Sequence, residues 1–86
     1  MSREINRYIA QAIAEVAVFL EFSGEDIVHP DAAVEVFEQL ASTLQMADPE
    51  SKLSFCSSFL TVAERYSGEQ AEFVKDLGEA LGLTSE

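Results

Sequence analysis

The 86-residue sequence predicts an all-α fold, a small antiparallel four-helix bundle, on three observations. Apolar residues recur at helical spacing in four blocks, proline or glycine punctuates the block ends, and period-two alternation of β-branched residues never persists. The helices are expected at about 3–22, 30–46, 49–66 and 69–81, with connections short enough to favour antiparallel neighbours. With 48% apolar residues the chain can form a core, and residues 1–86 read as a single domain.

The first helix has Ser2 as a cap and Gly24 just past its end. Ile5, Tyr8, Ile9, Ala12, Ile13, Val16, Phe19 and Leu20 fall on one arc of its wheel, a stripe expected to face the core. The second opens at Pro30, and its apolar arc is Ala33, Val34, Val36, Phe37, Leu40, Ala41 and Leu44. The third begins at the sharpest start signal in the chain, Asp48-Pro49-Glu50, and stops before Gly68. Leu53, Phe55, Cys56, Phe59, Leu60, Val62, Ala63 and Tyr66 are expected on its buried face. The fourth packs Phe73, Val74, Leu77, Ala80 and Leu81 and ends at Gly82. Gly78 lies inside it at a cost of about 1 kcal/mol relative to Ala, which implies a close helix–helix approach at that point.

Charge is the strongest functional signal. Sixteen acids face five bases, for a net charge of -11. Between Arg7 and Lys52 there are nine acids (Glu15, Glu21, Glu25, Asp26, Asp31, Glu35, Glu38, Asp48 and Glu50) and no Lys or Arg. Such a surface repels nucleic acid and anionic lipid and attracts cations. On the second helix Asp31, Glu35, Glu38, Gln39, Ser42 and Gln45 share a face opposite the apolar arc, and Glu25 and Asp26 precede it in the turn. The same face also suits plain solvation, and acids near a helix N-terminus help the helix itself. Val18 and Phe22, apolar on the polar side of the first helix, and Val28 in the turn are candidate apolar contacts for a partner.

Other chemistries lack their residues. His29 sits between Val28 and Pro30 without a nucleophile pattern and reads as a linker histidine; Cys56 lies mid-helix among Phe55, Phe59 and Leu60 and reads as a small buried residue. One Cys and one His cannot build a structural zinc site, and no calcium loop, di-iron Glu-x-x-His pair or phosphate-cradling glycine loop occurs. No enzyme, metal or cofactor is expected. The lone cysteine excludes an internal disulfide, no secretion signal is recognisable, and the apolar runs are too short to span a bilayer, so a cytoplasmic setting is expected.

Acyl carrier proteins share the acidic helical composition, but their Asp-Ser-Leu attachment motif is missing here. The segments Ile27-Val28-His29-Pro30-Asp31-Ala32-Ala33-Val34 and Glu72-Phe73-Val74-Lys75-Asp76-Leu77-Gly78-Glu79-Ala80-Leu81-Gly82-Leu83 resemble small acidic all-helical immunity proteins of bacterial polymorphic and contact-dependent toxins. The resemblance implies an inhibitor that occludes a cognate toxin and has no catalytic residues of its own. Together with the charge it gives the functional expectation: a stoichiometric inhibitor that meets a basic toxin or effector through Glu25, Asp26, Asp31, Glu35 and Glu38, with Val18, Phe22 and Val28 as apolar contacts. Two alternatives remain open, a homodimeric structural or adaptor module and a nucleic-acid-mimicking inhibitor.

Overall fold

Among the described residues, five helices and one 3-10 turn build the fold. The computed structural model describes the backbone of residues 3–84 and the side chains of residues 7–84. Ser2, the expected first cap, lies outside the described residues, as does the side chain of Ile5. The helices are α1 (Arg3–Phe22), α2 (Pro30–Gln45), α3 (Pro49–Val62), α4 (Gly68–Lys75) and α5 (Leu77–Ala80), with the 3-10 turn at Ala63–Arg65. No strand occurs among the described residues, and the all-α bundle expected from the sequence is observed.

The proline-marked starts form as their chemistry dictates. At α3 the Asp48 carboxylate accepts from the Ser51 amide at 3.0 Å and from the Ser51 hydroxyl at 2.8 Å. Those bonds hold the Asp48 carboxyl below its ordinary 3.8, the side-chain bond from Ser51 being the larger cause. At α2 the cap is His29, whose Nδ1 accepts from the Asp31 amide at 3.2 Å. The linker histidine thus has a structural task. After α5, Gly82 adopts φ 74°, which lets the Leu83 amide reach the Gly78 carbonyl at 2.8 Å and the Gly82 amide reach Glu79 at 3.0 Å.

Two boundaries differ from expectation. The third helix tightens into the 3-10 turn after Val62, and the fourth breaks at Asp76. The break seats α5 on α3, where a Cβ added to Gly78 would lie 2.6 Å from the Cys56 sulfur and 3.3 Å from its Cα. The close approach inferred from Gly78 is present.

The core sits between α1, α3 and the C-terminal helices. Phe59, Leu77, Leu81, Leu83, Val62 and Val74 are its largest fully buried side chains, and Phe55 stacks beside Phe59 with ring centroids 6.5 Å apart. The α1 register is where the sequence reading is corrected. Ala10, Ala14 and Ala17 are the buried face of α1, whereas Tyr8, Val16 and Phe19 are 60%, 50% and 52% exposed. Ala12 and Ile9 also face outward, and only Ile13 and Leu20 of the described expected stripe are half-buried. Large aromatics on α3 leave room opposite only for small side chains, so α1 docks through alanines. Leu53 and Leu60 of α3, expected inside, are exposed as well.

Candidate protein-binding surface

Helix α2 joins this core lightly. It contains no buried residue; Ala33, Phe37, Leu40, Ala41 and Leu44 are half-buried, while Val34 and Val36 are exposed. Its other face carries the acids. Asp31, Glu35 and Glu38 are exposed and follow i, i+4, i+7 spacing, which keeps them within roughly 60° of one another around the helix axis. Like charges at i, i+4 cost a helix a few tenths of a kcal/mol, and α2 has no Lys or Arg to offset them. Glu25 and Asp26 are exposed in the turn that leads to them, a turn closed by Ile27 and Val28 amides donating to the Gly24 carbonyl at 2.9 and 3.0 Å.

Few cations approach these acids. Among the described residues the ion pair is Lys75 with Glu72 at 3.4 Å, remote from α2 in sequence and within one turn of α4. Lys52 instead donates to the Gln45 carbonyl at 3.3 Å, at the C-terminal, negative end of α2. The ridge of Asp31, Glu35 and Glu38 is therefore left to solvent.

Next to the ridge lies a groove of about 450 Å³ between α1 and α2. Its lining includes Ala17, Leu20, Val34, Phe37 and Phe73 together with two acidic residues, Glu21 and Glu38. Glu21 and Phe73 also line a shallower depression whose other acids are Glu69, Glu72 and Asp76. The apolar groove and the acidic ridge thus share Glu38 as a common edge.

The expected site residues separate into two groups. Glu25, Asp26, Asp31, Glu35 and Glu38 all reach solvent on the α2 side. The apolar candidates are already partly engaged: Val18 packs against the core, Val28 is half-buried, and Phe22 meets Phe73 edge-on with centroids 5.5 Å apart. Gln45, expected on the polar face, turns instead to the C-terminal segment and donates to the Leu81 carbonyl at 2.9 Å. Glu21, Val34 and Phe73 appear in the sequence only as an acid, a residue of the second helix's apolar arc and a packing residue of the fourth helix; nothing in linear spacing links them into one groove.

No family of proteins, curated protein or solved structure matches this chain. The functional reading therefore rests on the residues alone. Among the described residues no group of three or more His, Cys, Asp or Glu side chains is gathered to hold a metal ion, and no helix is long and apolar enough to cross a membrane. Burial pushes the Cys56 thiol above its ordinary 9.0, which keeps it protonated and a poor nucleophile at neutral pH.

Proposed function

We propose that the chain is a stoichiometric protein inhibitor, immunity- or antitoxin-like, that binds a basic toxin or effector through the acidic face of α2 and neutralises it. The observation that carries this reading is the ridge of Asp31, Glu35 and Glu38: exposed, unpaired among the described residues, and bordered by an apolar groove. Complementary charge would speed encounter, and apolar contacts beside it would slow release. The protein works by occupation, without catalysis, metal or cofactor, on a cytoplasmic partner, and its acids disfavour nucleic acid and anionic membrane as ligands.

The test is affinity capture from the protein's own cell at low salt, run in parallel with Glu35→Lys/Glu38→Lys. A basic protein held in equal stoichiometry by the wild type, released at high salt and missing from the charge-reversed capture, supports the reading. Identical captures from both proteins contradict it. If an oligonucleotide displaces the captured protein, the carboxylates act as phosphate mimics.

A second reading, a homodimeric adaptor, is favoured by a separate observation. The outward face of α1 exposes Tyr8, Ile9, Val16 and Phe19, with Glu15 beside them. Light scattering across a salt series decides it: a stable dimer without any cationic ligand favours the adaptor.

A further inference from the structure

We infer that the groove between α1 and α2 receives a large apolar side chain from a Lys- or Arg-flanked segment of the partner. The inference rests on the reading of the acidic ridge as a binding face and adds what that face holds on to. Three features set the chemistry of the occupant.

Most of the lining is apolar, with Ala17, Leu20, Val34, Phe37 and Phe73 among it, so an aliphatic or aromatic side chain gains by leaving water for it. Its volume of about 450 Å³ exceeds what one such side chain needs, which leaves room for the backbone that carries it. Two acidic residues, Glu21 from α1 and Glu38 from α2, belong to the lining, and Glu35 and Asp31 continue the negative charge away from it along α2. Cations placed on either side of an inserted apolar group would meet these acids. A second copy of this chain does not suit the groove, since each copy brings a net charge of -11 to an acid-edged site.

The lightness of the α2 attachment fits this use. No α2 residue is fully buried, and Phe37, Leu40, Ala41 and Leu44 pack against the core from one side only, so the groove edge of the helix stays open to an anchor. A purely electrostatic contact would need only the ridge. The groove adds a component that survives salt.

Two synthetic peptides separate these contributions: a lysine-rich helical peptide with one central leucine, and the same peptide with serine in its place. Titrated at about 20 mM salt, where exposed charges act over long range, the leucine peptide should bind roughly tenfold tighter or more. In Val34→Asp, which keeps the surface negative but puts a charge into the groove wall, that preference should fall below about threefold, while the serine peptide binds at least as well as to the wild type. Val34 is 56% exposed, so the variant should keep its fold, and Val34→Ala, which shortens the wall without adding charge, should give an intermediate preference. Equal affinity of the two peptides, or a leucine preference untouched by Val34→Asp, overturns the anchor proposal and leaves the acidic face standing. Failure of both peptides to bind removes the acidic face and the anchor with it.

Discussion

The Gln45 side-chain amide donates to the Leu81 backbone carbonyl at 2.9 Å, across 36 residues of chain. This bond ties the end of α2 to the turn that closes α5. It matters because α2 has so few other ties. Gly82 follows in the left-handed region, and a Cβ there would lie 2.5 Å from the Gln45 nitrogen, so the amide fits against bare backbone. Gln45→Ala should therefore destabilise the fold by about 1 kcal/mol, the worth of one such hydrogen bond. For a domain of this size that lowers the thermal midpoint by roughly 4–8 °C. A melt followed by circular dichroism measures it.

Gly78 should be the least replaceable glycine. Alanine would gain about 1 kcal/mol of helix propensity, yet its Cβ meets the Cys56 sulfur at 2.6 Å and Cα at 3.3 Å, and backbone cannot step aside as a flexible side chain can. Overpacking then wins, and Gly78→Ala should lose about 1–3 kcal/mol in urea unfolding. Because the sulfur is the nearest atom, Cys56→Ala in the same chain should return part of the loss, so that the two changes are not additive.

The α1 register is tested by a pair of opposite substitutions. Ala14 is fully buried, and Ala14→Leu should cost about 1–3 kcal/mol by overpacking. Val16→Ser, two residues along on the exposed face, should change stability by less than about 1 kcal/mol. If the costs are reversed, the larger apolar stripe faces inward after all.

Stability should also respond to acid through Asp48. Its folded-state pKa lies below the ordinary 3.8, so its contribution is complete above that value and disappears as pH falls through the folded pKa. Wild type and Asp48→Asn should therefore differ in urea midpoint at neutral pH and converge as pH falls through the acidic range.

How far the sequence could be read depends on the kind of signal. The starts of α2 and α3 were legible because Pro30 and Asp48-Pro49 act within a few residues, and the Gly78 approach was legible because glycine inside a helix needs a reason. The ridge was legible for the same local cause, as i, i+4, i+7 spacing fixes a face. The orientation of α1 was not. A helical wheel weights Tyr8, Val16 and Phe19 by their size, whereas packing against Phe55 and Phe59 selects Ala10, Ala14 and Ala17 by their smallness. The break at Asp76 lacks the proline or glycine that would announce it. The groove was illegible in principle, since Ala17, Val34 and Phe73 meet only once the chain has folded.

Charge reversal on α2 should leave the fold intact. Glu35 and Glu38 have no ion-pair partner among the described residues, and replacing them with lysine removes a like-charge contact with Asp31, so Glu35→Lys/Glu38→Lys should be neutral or gain a few tenths of a kcal/mol in unfolding. That retained stability makes the variant a clean probe of binding.

The most direct measurement is the affinity of the purified captured partner for the wild type and for Glu35→Lys/Glu38→Lys across a salt series. The double variant should bind at least about tenfold more weakly at low salt, with a flatter dependence of affinity on salt concentration. Equal affinities and equal slopes for the two proteins would contradict the claim that the acids of α2 hold a basic partner.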